Sequence, residues 1–175
     1  NYTLSAHLFE PEKPRNKLLL INSATGVKQH IYFSFAQYFS EQGFTVITYD
    51  YRGIGLSKPI KMKGFDASMR IWGTKDYKAV TDFIKTNYSD HQKFCLGHSV
   101  GALILGMNPN SEMLEEFIFV GTQNAFVGNL KFKTKIEAYL GFGIIQPIST
   151  KVLGYFPAHW FGLGESLPSG SAFDW

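Results

Sequence analysis

The sequence has a single cysteine among its 175 residues, Cys95, which excludes an internal disulfide. It lies in the apolar run Phe94-Cys95-Leu96, where a buried, reduced thiol is the natural reading, so no redox or metal role is expected of it. Charge is sparse as well. Seventeen Lys and Arg against fourteen Asp and Glu leave a formal +3, and the basic residues are scattered, so no nucleic-acid partner or anionic-membrane footprint is implied. No apolar stretch reaches the length that crosses a bilayer, and Asn1-Tyr2-Thr3 does not open a signal peptide. Stable membrane insertion is therefore not expected, and the cytoplasm is the expected location. The chain starts without methionine and stops at Ala172-Phe173-Asp174-Trp175, so residues are expected beyond both ends.

What is abundant is apolar: 45% hydrophobic residues against 18% charged ones are enough for a buried core, and neither repeats nor low-complexity tracts interrupt them. Tyr2 to Phe9 alternates and stops before Pro11 and Pro14, as a strand does. The uninterrupted Leu18-Leu19-Leu20-Ile21 suits a strand covered on both faces. Tyr32, Phe35, Ala36 and Phe39 recur at helical spacing between Ile31 and Gln42, with Gly43 placed to end the helix. The pattern then repeats. Phe44 to Tyr49 reads as a strand, followed by a helix opening near Thr74 and Asp76 with Tyr77, Val80, Ile84 and Tyr88 on one face. Lys93 to Leu96 leads through a turn at Ser99 into a helix from Val100 to about Met107, and Phe117 to Val120 is a further apolar strand. Alternating strands and helices predict an α/β fold with a mostly parallel sheet between helical layers. Residues 125–165 are rich in aromatics and glycine, with a helix around Thr134 to Leu140. We expect residues 1–124 to form the N-terminal part of the core and 125–175 a lid-like segment.

Gly97-His98-Ser99-Val100-Gly101 fits G-x-S-x-G, and its place between a predicted strand and a predicted helix matters more than the letters. A serine at so sharp a turn adopts a strained backbone, and side chains two positions either side would strike the converging strand and helix; Gly97 and Gly101 remove both collisions. The Ser99 hydroxyl would then project at the C-terminal edge of the sheet as the nucleophile. The Val100 amide, at the helix start, would face developing negative charge. A second oxyanion donor should come from the loop Asn22-Ser23-Ala24-Thr25-Gly26; register assigns it to the Ala24 amide, with Thr25 as the neighbour able to share the role.

Leu18 to Gly26, the run Tyr49-Asp50-Tyr51-Arg52-Gly53-Ile54-Gly55-Leu56-Ser57 and the Ser99 turn together resemble the α/β-hydrolase superfamily. With Trp72-Gly73 and Leu167-Pro168-Ser169-Gly170, they resemble more narrowly a bacterial group of α/β-hydrolases without an assigned substrate. The resemblance implies an acid and then a histidine following the serine in the chain. Neither is identified in the sequence: after Ser99 the only aspartate is Asp174, and the only histidine is His159, preceded by Glu112, Glu115, Glu116 and Glu137. A Glu137–His159 pair falls in the lid-like stretch, and partners beyond Trp175 are the favoured alternative. The C-terminal strands of such a fold are likewise expected beyond the chain.

Other residues invite functional readings that blander ones outweigh. His98 adjoins Ser99, but consecutive side chains diverge at a bend, so packing behind the turn is expected. His7, His30 and His91 sit in ordinary strand or loop contexts. Asp50 and Arg52 are expected to fix the turn after their strand, by hydrogen bonds to the backbone and an ion pair. The expected activity is that of a serine hydrolase cleaving carboxylic esters through an acyl-enzyme, on a small, apolar acyl substrate, with no cofactor and no metal. The alternatives are an acyltransferase on the same fold and a non-catalytic interaction protein. An exposed edge at Phe117 to Val120 calls for further chain or a homo-oligomer to cover it.

Overall fold

The computed structural model describes residues 2–122 and 126–175. The expected boundary between core and lid, at 124/125, lies outside the described residues. Five strands form one sheet in the order β1-β3-β2-β4-β5: β1 (Ala6–Phe9), β2 (Lys17–Asn22), β3 (Phe44–Tyr49), β4 (Gln92–His98) and β5 (Glu116–Val120). Only β1 runs antiparallel, along β3; the other pairings are parallel.

The β2 run is buried on both sides because alternate residues feed two separate cores. Leu18 and Leu20 join Ile47, Tyr49, Trp72, Tyr77, Ile84, Cys95 and Ile104 on one face, whereas Leu19 and Ile21 join Ala36, Val46 and Leu96 on the other. Helix α1 (Phe33–Glu41) covers the second face through Ala36 and ends at Gly43, whose φ of +91° a residue with a side chain rarely adopts. Phe35, expected inward, stays exposed, and Tyr32 sits in a 3-10 turn ahead of the helix.

The next helix begins earlier than its periodicity predicted. Ser68 caps α2 (Met69–Ile71) by accepting the Ile71 amide at 3.1 Å; a π-helical turn, Trp72–Tyr77, then leads into α3 (Lys78–Asn87). The wider turn shifts the buried face, and so the expected opening at Thr74 and Asp76 falls inside the helix. After β4 the chain enters α4 (Val100–Leu103), which tightens into a 3-10 turn, Ile104–Met107.

Beyond β5, which leaves Phe117, Ile118, Phe119 and Val120 exposed, come α5 (Phe132–Leu140), a second π-helical turn and α6 (Gln146–Leu153). A two-residue ladder of β6 (Tyr155–Phe156) and β7 (Leu167–Pro168) follows, and then α7 (Ser169–Asp174). Phe156, Ala158, Leu167 and Ala172 enter the larger sheet core, so this last part packs as a strap on the domain. No helix among the described residues is long and apolar enough to cross a membrane.

Candidate active site

Strand β4 and helix α4 meet at Ser99, whose φ of 53° and ψ of −116° make it one of two described non-glycine residues at positive φ, the other being Asn16. Such a conformation costs about 1–3 kcal/mol and persists only where its surroundings enforce it. The Ser99 amide donates to the Val120 carbonyl at 2.9 Å, and its own carbonyl accepts from Ala102 at 3.1 Å. The flanking glycines allow the approach: a Cβ on Gly97 would lie 2.6 Å from the Ala102 Cα, and one on Gly101 would lie 2.3 Å from the Asn22 carbonyl oxygen. Asn22 binds this junction from β2, donating through Nδ2 to the Gly101 carbonyl at 3.1 Å and accepting from the Tyr49 hydroxyl at 2.9 Å.

The two expected oxyanion donors fare differently. Val100 is the first residue of α4, so its amide has no acceptor within the helix. The Ala24 amide is already taken: it donates to the Tyr32 hydroxyl at 3.0 Å, and that hydroxyl lies 2.9 Å from His98 Nδ1. Burial holds the Tyr32 phenol above its ordinary pKa despite the Ala24 amide, so the hydroxyl stays protonated between the amide and the imidazole. In this arrangement the Ala24 amide is engaged by Tyr32. The Thr25 amide has no acceptor among the described residues. The hydrogen bond of His98 runs to Tyr32, so the imidazole braces the loop.

Asp50 and Arg52 do organise the following turn, but through different partners. Asp50 accepts the Gln29 amide at 2.8 Å, the Gln29 side chain at 3.0 Å and the Leu56 amide at 3.0 Å. Arg52 pairs instead with Asp76, 2.7 Å through Nε and 2.6 Å through Nη2, while its backbone amide donates to the same carboxylate at 2.9 Å. Burial raises the Asp76 pKa, and Arg52 opposes that rise. Tyr51 stacks on Trp72 at 4.8 Å and donates to the Ser23 carbonyl at 3.0 Å, while the Trp72 indole donates to the Arg52 carbonyl at 3.1 Å. Reading the sequence missed Asn22, Tyr32 and Asp76; the available signal was that polar atoms in buried stretches need partners.

The Glu137–His159 pair does not assemble. His159 Nδ1 lies 2.7 Å from the Ser166 hydroxyl, and Glu137 faces Lys133 on its own helix at 3.9 Å. No imidazole or carboxylate hydrogen-bonds the Ser99 hydroxyl among the described residues, and no group of three metal-ligating side chains occurs among them.

A mostly parallel sheet between helices, with a strained serine at a strand-to-helix turn, defines an α/β-hydrolase fold. Residues 13–109, more than half of the 175, match the family described as serine aminopeptidase, S33, and the chain belongs to that family. A probable lysophospholipase L2 of Haemophilus influenzae is 29% identical over 99 residues, 56% of this chain and 31% of that protein. A thermostable carboxyl esterase from Bacillus coagulans, solved with glycerol, superimposes with a TM-score of 0.63 at 20% identity, over 91% of this chain and 50% of that one. A lidless serine hydrolase from Xanthomonas campestris gives 0.55 at 17% identity, over 74% of this chain and 59% of that one. The chain thus spans about a third of the curated relative's length and between half and three fifths of the two solved structures'.

Proposed function

We propose that this chain carries the nucleophile and oxyanion-binding half of a serine hydrolase that cleaves carboxylic esters. The observation that carries the reading is Ser99 at φ 53°, between two glycines that cannot accept a Cβ, with the free Val100 amide beside it. The Ser99 oxygen attacks the ester carbonyl carbon and passes its proton to a histidine, the carbonyl oxygen takes up negative charge, and collapse expels the alcohol to leave an acyl-serine. Water then attacks the acyl carbon, and the serine is regenerated with release of the acid. The oxyanion donors in this reading are the amides of Val100 and Thr25, with Tyr32 and His98 holding the loop that presents Thr25. No residue between Asn1 and Trp175 is assigned as the triad acid or histidine. The relatives support this chemistry, since one is named a lysophospholipase and another a carboxyl esterase.

We also propose that the lid-like function is confined to the helical stretch before Tyr155, because the strap after it shares the sheet core. The test of the nucleophile is labelling of the protein with a fluorophosphonate, followed by peptide mapping. Label on Ser99, abolished in Ser99→Ala together with hydrolysis of p-nitrophenyl butyrate, is the expected result. Unchanged hydrolysis in Ser99→Ala overturns the reading.

A further inference from the structure

The loop that presents the Thr25 amide folds as a four-residue turn, Ala24 to Val27, closed by the Val27 amide on the Ala24 carbonyl at 3.1 Å. Gly26 holds its third position at φ +69°, the left-handed conformation that a type II turn requires there. The turn begins two residues beyond Asn22, which faces Gly97 across the sheet and donates to the Gly101 carbonyl, so it leaves the sheet where the Ser99 bend does. Tyr32 takes the Ala24 amide on one side of this turn. The strap takes hold of the other.

The Glu165 amide donates to the Gly26 carbonyl at 2.9 Å. The approach is close: a Cβ on Gly164 would lie 2.7 Å from the Gly26 carbonyl oxygen, and one on Gly26 would lie 3.3 Å from the Glu165 carbonyl oxygen. The Glu165 carboxylate then ties together the loops that follow β2 and β3. Its Oε1 receives Lys28, two residues past Gly26, at 3.0 Å and Lys58 at 2.9 Å, while Oε2 receives the Gly55 amide at 2.6 Å. The Gly55 loop is itself fixed, because the buried Asp50 accepts the Leu56 amide at 3.0 Å. Burial alone would raise the Glu165 pKa, but the Gly55 amide and the two ammonium groups more than offset it, so the carboxylate stays ionised.

We propose that Glu165 is a positioning residue for oxyanion binding: its amide on Gly26, and its carboxylate between Lys28 and the Gly55 loop, hold the turn so that the Thr25 amide keeps its aim. The assignment rests on the serine-hydrolase reading above and deepens it. An oxyanion donor is effective only at about 2.7–3.1 Å from where the charge develops, so a turn released on the strap side loses transition-state binding and keeps ground-state binding. The strap does not depend on Glu165 for its own seat, since Phe156 and Leu167 are buried in the sheet core.

The test is steady-state hydrolysis of p-nitrophenyl butyrate by the full-length protein and four variants, with urea unfolding and amide resonances recorded alongside. Glu165→Ala should lower kcat about fivefold with KM unchanged, and should shift the Thr25 and Gly26 amide resonances. Glu165→Gln keeps an acceptor for the Gly55 amide and should recover part of the loss. Gly164→Ala, driven against the Gly26 carbonyl, should lower kcat in the same way. Gly162→Ala is the control: at φ +69° with nothing within 4 Å, it strains the strap without touching the turn, and should lower the urea midpoint while kcat stays unchanged. An unchanged kcat or unshifted Thr25 and Gly26 resonances in Glu165→Ala overturn the proposal, as does a Gly162→Ala loss of kcat equal to that of Gly164→Ala. Fluorophosphonate labelling of Ser99 separates the two readings: with label present and kcat indifferent to Glu165 the clamp alone falls, whereas absence of label in the unaltered protein overturns the nucleophile reading.

Discussion

The sheet with its loops and the helical stretch from Phe132 to Leu153 are both rich in apolar residues, yet they dispose of them in opposite ways. Leu18, Leu20, Ile21, Tyr49, Tyr51 and Trp72 are fully buried, whereas Phe132 is 80% exposed, Tyr139 62% and Val152 69%. Burial depends on a second layer being available: β2 has helices against both faces, while α5 and α6 present apolar surface that nothing among the described residues covers. The proposed nucleophile stands on the region where packing over-determines the backbone, which is the condition for keeping a strained serine. The strap after Tyr155 lies between these extremes, anchored at a few core residues and at Glu165.

The contrast breaks most visibly at glycines. Gly101→Ala drives a Cβ to 2.3 Å from the Asn22 carbonyl oxygen and should cost about 3 kcal/mol in urea unfolding, with loss of Ser99 labelling. Gly143→Ala, in the exposed helical stretch with nothing within 4 Å, should be neutral or stabilise by about 0.5 kcal/mol. Equal effects at the two positions would erase the distinction between the regions.

Tyr32→Phe removes one hydroxyl and frees the Ala24 amide without opening a cavity. Turnover should fall about tenfold with KM little changed, and the Ala24 amide resonance should shift. Tyr32→Phe combined with His98→Ala should be no worse than the poorer single variant, because both cut the same link.

The smallest expected effect concerns the strap. Glu165 is held below its ordinary pKa, so the folded state binds its proton less readily than the unfolded chain does. Its contribution is therefore full above about pH 4.3 and fades as pH falls through the lower folded value. The protection factor of the Glu165 amide, bonded to Gly26 and taken relative to its intrinsic exchange rate, should fall on acidification while amides of β2 stay protected, and Glu165→Gln should abolish that pH dependence.

The strands were legible because continuous or alternating apolar runs report burial directly: β3 spans the residues its composition indicated, and β2 and β4 extend the expected runs by two and three residues. The helix before β4 was less legible, since a π-helical turn breaks the 3.6-residue period on which its start was judged. Within the site, Gly97, Ser99 and Gly101 could be read as a local pattern. The loop donor could not, because which of two adjacent amides is free depends on where the Tyr32 ring comes to rest.

The sequence alone determined the layered α/β architecture and the strand-to-helix turn at Ser99, since both arise from hydrophobic spacing and from steric rules acting over a few residues. Only the tertiary structure decided that Tyr32 occupies the Ala24 amide, that Asp76 answers Arg52, and that Glu165 reaches the Gly55 amide across 110 positions of chain. Those contacts join side chains whose neighbours along the chain hold no information about one another; the close packing of the folded domain alone brings them within hydrogen-bonding distance.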